Sequence, residues 1–321
     1  MEKLRVGVIG VGYLGKFHAE KYSNTEGVEL VGVVDTNTKA ASEIAEKLGT
    51  KPFSDYKEFF GKVDAVSIVT PTPLHFQISM DFLKNGIDVL IEKPITTNVN
   101  EADELINYAA SKGLIIQVGH LERFNPAVVA IADTVKKPMF IESHRLSMYK
   151  ERCTDVSVVL DLMIHDIDII LNFVKSPIKS INAAGVPVIS SYADIANARL
   201  EFQNGCIANV TASRISMKNE RKIRLFQKDA YISLNFATRE ITVISQSDDP
   251  SNQTPGLIPG MQAKQITFTQ KDALDDEIKA FVHSVKTREE PLVSGKVGRN
   301  ALEIALSISE QIKITSTHFQ G

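Results

Sequence analysis

From Lys3 to about His120 the chain repeats one pattern, in which short apolar runs alternate with stretches whose apolar residues recur at helical spacing. The runs at 6–9, 28–34, 51–53, 64–69, 88–91 and 114–118 predict strands, and the stretches at 16–22, 39–48, 75–84 and 100–112 predict helices. Asn85-Gly86 and Gly113 follow two of these helices as stop signals. Strand and helix in strict alternation predict a parallel sheet covered on both faces, an N-terminal doubly wound Rossmann domain.

Beyond Leu121 the period changes. A helical stretch at 126–135 leads into runs of period two at 140–146, 195–202, 207–215, 222–227, 231–235, 240–245 and 265–269, with Gln203-Asn204-Gly205 as a hairpin signal. This half predicts a C-terminal α+β domain with a large open, mostly antiparallel sheet, closed by helices at 274–287 and 298–314. A Pro/Gly/polar loop from Ser247 to Gly260 suits mobility or oligomer contacts. The class is therefore α/β, with one domain over residues 1–121 and a second over residues 122–321.

One segment of the second half is apolar nearly all round. Residues 155–174 carry Val158, Val159, Leu160, Leu162, Met163, Ile164, Ile167, Ile169, Ile170, Leu171, Phe173 and Val174. Asp161, His165, Asp168 and Asn172 are spaced four, three and four apart, one stripe of a helix. A buried helix with such a stripe must aim it at partners or water, because unpaired polar groups in a core cost several kcal/mol by order of magnitude.

Composition narrows the class of partner. The 321 residues are 43% hydrophobic and 23% charged with a net charge of -3, which offers no footprint for nucleic acid or anionic membrane. Cys153 and Cys206 form no CxxC, so neither a disulfide framework nor a zinc site is indicated. Met1 leads almost directly into the first strand, no signal peptide is expected, and no apolar run reaches membrane-spanning length. The expectation is a cytoplasmic enzyme with a small-molecule substrate.

The sharpest local signal is Gly10-Val11-Gly12-Tyr13-Leu14-Gly15, a Gly-x-Gly-x-x-Gly turn between the first strand and the first helix. Such a turn lets backbone approach a pyrophosphate and leaves the phosphates at a helix N-terminus. Asp35 ends the second strand 20 residues beyond Gly15, where an acid accepts hydrogen bonds from ribose hydroxyls and repels a 2′-phosphate. No arginine follows in Thr36-Asn37-Thr38, so NAD is favoured over NADP.

Ligands of doubly wound sheets bind beyond the carboxyl ends of the strands. Thr70-Pro71-Thr72 with His75, and Glu92-Lys93-Pro94, occupy such positions and are candidate cofactor contacts. Lys93 can stabilise a developing alkoxide there, or pair with Glu92 or lie at the surface. His165 with Asp161 one turn earlier fits a general base oriented by a carboxylate, and equally a buried histidine satisfied by its neighbour. Asp161, His165 and Asp168 supply too few ligands for a metal, and none is expected.

Taken together, the glycine turn, Thr-Pro-x-x-x-His at 70–75, Glu92-Lys93-Pro94 and Asp161-x-x-x-His165 resemble the glucose-fructose oxidoreductase, inositol dehydrogenase and rhizopine catabolism (Gfo/Idh/MocA) family over essentially the whole chain. The resemblance implies that Lys93 and His165 flank a substrate hydroxyl with Asp161 assisting, while a nicotinamide takes the hydride. It also implies a C-terminal sheet whose exposed face forms homodimers or homotetramers.

Glu122-Arg123-Phe124-Asn125-Pro126, Val158 to Asp168 and Ser213-Arg214-Ile215-Ser216 look like the bacterial branch that includes UDP-N-acetylglucosamine 3-dehydrogenases of lipid A precursor synthesis. On that resemblance the substrate is a nucleotide sugar, with Arg123, Asn125 and Arg152 as further substrate contacts. Lys150 and Arg214 are other cations that suit a diphosphate. Val158-Val159-Leu160 stand where many broader family members have a Gly-Gly pair. The competing readings are a dehydrogenase or reductase of a free sugar, inositol or other carbonyl compound, and a non-catalytic dinucleotide sensor.

Overall fold

A computed structural model of the chain describes residues 3–149, 156–247, 253–254, 259–269 and 272–316. They fall into two compact units, one from Met1–Leu121 with Asp272–Leu302 and one from Glu122–Lys271 with Glu303–Gly321.

The first unit is built on six parallel strands: β1 (Leu4–Ile9), β2 (Val28–Val34), β3 (Lys51–Phe53), β4 (Ala65–Ile68), β5 (Asp88–Glu92) and β6 (Ile116–Gly119). Their order is β3-β2-β1-β4-β5-β6, which reverses direction at the β1/β4 junction. Every residue of β4, β5 and β6 is buried, as expected where helices cover both faces, and this explains their unbroken apolar runs. The crossovers include α1 (Gly15–Asn24), α2 (Thr38–Leu48), α3 (His75–Lys84) and α4 (Val99–Lys112). Asn37 and Asn98 cap α2 and α4 by accepting from the N–H groups of Ala40 and Glu101, and Gly49 and Gly113 end them in the left-handed conformation.

A later segment completes this unit. Helix α7 (Ala273–Thr287) buries Leu274, Ile278, Phe281, Val282 and Val285 in one core with Val6, Val8, Ala19, Tyr22 and Leu90. A contiguous division at residue 121 would place α7 with the antiparallel sheet that precedes it, but its apolar stripe is spent on the first sheet. Arg288, just past α7, makes a forked pair with Asp88 at 2.6 and 3.0 Å, and Val118 donates to the carbonyl of Val293 at 2.9 Å. The division between units falls within the last helix, α8 (Gly295–Ser316).

The second unit carries an eight-stranded sheet: β7 (Phe140–Leu146), β8 (Ile178–Val186), β9 (Ile195–Phe202), β10 (Ile207–Ser213), β11 (Glu220–Gln227), β12 (Ala230–Asn235), β13 (Glu240–Gln246) and β14 (Met261–Thr267). The order is β14-β13-β12-β11-β7-β10-β9-β8. All neighbours are antiparallel except β10 and β7, which run parallel. The Asn-Gly turn forms as expected, with Gly205 at φ 86° between β9 and β10.

Three features differ from the periodicity. β8 has no clear period-two signal, because Ala183, Ala184 and Gly185 blur its alternation. The helix expected over 126–135 stops after five residues as α5 (Pro126–Ala130), and the turn that follows is held by Ala132 to Val129 and Thr134 to Ile131 bonds. The apolar helix of residues 155–174 is composite: Val159–Met163 is a π-helical turn, and α6 (Ile164–Val174) continues it, burying Ile164, Ile167, Ile169, Ile170 and Phe173. Most of the loop from Ser247 to Gly260, like the start of that apolar segment, lies outside the described residues.

Candidate active site

Beyond the carboxyl end of β1, Gly10 turns the chain at φ 87°, and a Cβ there would strike the carbonyl oxygen of Val69. A Cβ on Gly15 would strike the carbonyl of Gly10, so this glycine lets helix and turn close on each other. A Cβ on Gly12 would meet nothing within 4 Å, and Tyr13 beside it is 71% exposed. The chain's own packing therefore does not require glycine at position 12, whereas a ligand lying on the turn does.

Helix α1 begins without a side-chain cap on Leu14, unlike α2 and α4, which leaves first-turn N–H groups for an anion. Asp35 accepts from the N–H of Val11 at 2.8 Å through one oxygen and from Asn37 at 2.8 Å through the other. It thus clamps the glycine turn to the end of β2, and each oxygen keeps a second lone pair for a ribose hydroxyl.

At the ends of β4 and β5 the structure reassigns two expected cofactor contacts. His75 is 1% exposed, with Nδ1 2.8 Å from the carbonyl of Pro94 and Nε2 2.8 Å from that of Thr70. Its imidazole ties the two loops together and has no nitrogen left for a cofactor; burial pushes it toward the neutral form, against the pull of those carbonyls. Glu92 turns inward, where Oε1 meets His18 Nε2 at 3.2 Å and Oε2 accepts the Lys93 N–H at 3.2 Å. Lys93 itself is half-buried at the end of β5, Pro71 is exposed and Thr72 half-buried. The Oγ1 of Thr70 is buried without a protein partner.

In the second unit, Asp161 lies on the π turn and His165 on the first turn of α6, both half-buried. π turns recur at functional sites because they displace side chains from the regular helical positions. The stripe expected to run on through Asp168 stops being available there: Asp168 is 1% exposed, 3.7 Å from the guanidinium of Arg123.

Arg123 and Asn125, expected to meet substrate, have internal partners. Asn125 caps α5 through Ala127 N–H, with Pro126 at the first helical position, and donates to Glu122 at 3.0 Å. Arg214 is 5% exposed and donates to the carbonyl of Val156 at 2.5 Å. Lys150 and Arg152 lie outside the described residues.

Beneath α6 lies a group that periodicity alone did not single out. Arg145 is 3% exposed and forks onto Asp166 at 2.9 and 3.0 Å while reaching Glu122 at 3.1 Å. Burial pulls its pKa down, but Asp166 and Glu122 outweigh it and hold the guanidinium charged. The signal was present: in β7, Arg145 shares the inward parity of Ile141 and Ser143.

Residues 4–120 match the oxidoreductase family described as having an NAD-binding Rossmann fold (GFO_IDH_MocA), and residues 138–233 match the C-terminal domain of the same family. The chain belongs to that family. A UDP-N-acetylglucosamine 3-dehydrogenase of Acidithiobacillus ferrooxidans is 36% identical over 96% of this chain and 97% of its own length. A solved structure of that organism's UDP-N-acetylglucosamine 3-dehydrogenase superposes with a TM-score of 0.92 at 35% identity, covering 98% of this chain and 99% of the other. A scyllo-inositol 2-dehydrogenase (NAD(+)) of Bacillus subtilis is 25% identical over 97% of this chain and 94% of its own length.

The chain is thus an NAD-dependent oxidoreductase, and the first unit fits the cofactor. The open position at Gly12, the uncapped start of α1, the spare lone pairs of Asp35 and the partnerless hydroxyl of Thr70 are features a bound dinucleotide would complete. Among the described residues no helix is long and apolar enough to cross a membrane.

Proposed function

We propose that this enzyme oxidises the 3-hydroxyl of UDP-N-acetylglucosamine to the 3-keto sugar. The observation that carries this reading is the end-to-end likeness to a 3-dehydrogenase of that nucleotide sugar, 36% identical over 96% of the chain. Bound NAD supplies the hydride acceptor, so the alcohol loses a hydride to the cofactor and a proton to the protein.

His165 takes the hydroxyl proton, Asp161 orients its imidazole, and the Lys93 ammonium stabilises the alkoxide as it forms. The first unit binds the cofactor, and the second selects the sugar and forms the oligomer through its sheet, as a homodimer or homotetramer working in the cytoplasm. The 3-keto product suits an aminotransferase, in keeping with lipid A precursor synthesis.

A free cyclitol is the second reading, favoured by the likeness to an inositol dehydrogenase over 97% of the chain. Purified protein incubated with NAD and a panel of UDP-sugars, free sugars and inositols separates the two. NADH formation with UDP-N-acetylglucosamine supports the first reading; formation with free polyols alone replaces it with the second. NAD binding without turnover of any of them would leave a dinucleotide sensor.

A further inference from the structure

A second acid lies under the turn that carries Lys93. Glu277, on α7, is wholly buried, and neither of its carboxyl oxygens has a hydrogen-bond partner. It sits on the apolar stripe of α7, one residue before Ile278 and four before Phe281. One oxygen of Glu277, one of Glu92 and a ring nitrogen of His18 lie within 4.8 Å of one another. Two carboxylates this close in a dry core do not both stay ionised, because each charge raises the cost of the other.

The donors around them show which acid keeps the charge. Tyr22 OH lies 2.8 Å from Ser67 Oγ, Ser67 Oγ lies 3.3 Å from His18 Nδ1, and His18 Nε2 lies 3.2 Å from Glu92. Read in one direction, tyrosine donates to serine, serine to Nδ1 and Nε2–H to Glu92, a chain that a neutral imidazole satisfies at both nitrogens. The Lys93 N–H is one more donor to Glu92. Gly119 leaves room for that carboxylate, since a Cβ there would come within 2.8 Å of it. All of these donors converge on Glu92 and none on Glu277.

We propose that Glu277 is a positioning residue: it remains a neutral acid, leaves Glu92 as the single anion of the cluster, and so fixes the turn that presents Lys93. One oxygen of Glu277 lies within 4.8 Å of one of Glu92, so a proton held on Glu277 removes a second charge from beside the first. Burial, then the charge of Glu92, pushes the Glu277 carboxyl well above the usual range. Burial also pushes Glu92 up, but His18 and Lys93 outweigh it and hold that carboxyl low. A divalent cation would neutralise the same pair, but the His18 ring already has a hydrogen-bond partner at each nitrogen, so its Nε2 points a proton, rather than a lone pair, at Glu92.

The test compares the full-length protein with Glu277→Gln, which mimics the neutral acid, and Glu277→Ala, which removes the donor. The infrared difference spectrum, wild type minus Glu277→Gln, is expected to show the carbonyl band of a protonated carboxylic acid at neutral pH. An acid whose folded pKa is raised binds its proton more tightly folded than unfolded, so wild type loses stability relative to Glu277→Gln as pH rises above the ordinary carboxyl range.

No protonated-acid band, together with a melting-temperature difference that does not change with pH, would show an ionised Glu277 and overturn the proposal. Zn²⁺ or Mn²⁺ raising the melting temperature of wild type but not of Glu277→Gln would overturn it in favour of a cation. The kinetic arm rests on the role proposed above for Lys93: Glu277→Gln keeps kcat within about twofold, and Glu277→Ala lowers it about tenfold with NAD affinity kept. Equal kcat losses in both variants would remove the positioning role. If the enzyme proves to have a different substrate, the spectral and melting arms still decide the protonation state.

Discussion

Two buried ionic groups support the two residues proposed to do the chemistry, and they are neutralised by opposite means. Under α6, which carries His165, Arg145 is locked between Asp166 and Glu122 at 2.9 to 3.1 Å. Under the turn that carries Lys93, two acids and a histidine lie together, and His18 and then Lys93 hold the Glu92 carboxyl low against its burial. A guanidinium keeps its charge at any ordinary pH, so the first group is fixed; a shared proton can leave, so the second is sensitive to pH. Supporting a reactive side chain from below thus has a rigid and a titratable solution within one chain.

The largest effect is expected where the fixed group is broken. Arg145→Met strands the buried Asp166 and the half-buried Glu122, and urea unfolding should show a loss of about 3–5 kcal/mol, with a loss below about 1 kcal/mol contradicting the pairing. Next come the residues the two groups support. Lys93→Met and His165→Asn should each lower kcat by about tenfold to a hundredfold with NAD affinity kept, and an unchanged kcat in both would remove them from the chemistry.

A third buried acid, Asp194, is held chiefly by hydrogen-bond donors of its own loop, with the Arg214 guanidinium 3.9 Å away. Asp194 accepts from the N–H groups of Val188, Ile189 and Ser190 at 2.8, 2.7 and 3.0 Å and from the Ser190 hydroxyl at 2.7 Å. Burial pushes its carboxyl up, but these donors outweigh it and hold the pKa down at about 2. A depressed carboxyl contributes stability above its unfolded pKa and loses it on acidification. Asp194→Asn should therefore abolish about 2 kcal/mol of stability that wild type loses between about pH 4 and pH 2. Acid unfolding curves that coincide for the two proteins would refute this.

The smallest effect concerns the cofactor: Thr70→Val removes a hydroxyl without a protein partner and should raise KM for NAD about twofold to tenfold with the melting temperature unchanged. A lowered melting temperature with unchanged KM would give the hydroxyl a structural role instead.

The first unit was the more legible in sequence because its strands are buried on both faces and its helices stop at glycines, as at Gly49 and Gly113. The placement of α7 was not, since its apolar stripe states that it packs and not on which sheet. In β8, small residues hid the alternation, and the π turn at Val159–Met163 has no period that the sequence displays.

At the site, Gly10, Gly15 and Asp35 take the positions their spacing implied. His75, Glu92, Arg123 and Asn125 were visible as polar residues near strand ends or turns, but their inward partners depend on long-range folding. Arg145 and Glu277 carried a signal that only parity reveals, a charge on the apolar side of a strand and of a helix.

Removal of a hydride from C3 of an intact nucleotide sugar is reached directly by one labelling measurement. UDP-N-acetylglucosamine deuterated at C3 of the sugar is incubated with the enzyme and NAD, and the reduced cofactor is analysed by mass spectrometry. Deuterium in the NADH is the predicted result. Unlabelled NADH, with deuterium retained in the sugar, would contradict it and place the oxidation at another carbon.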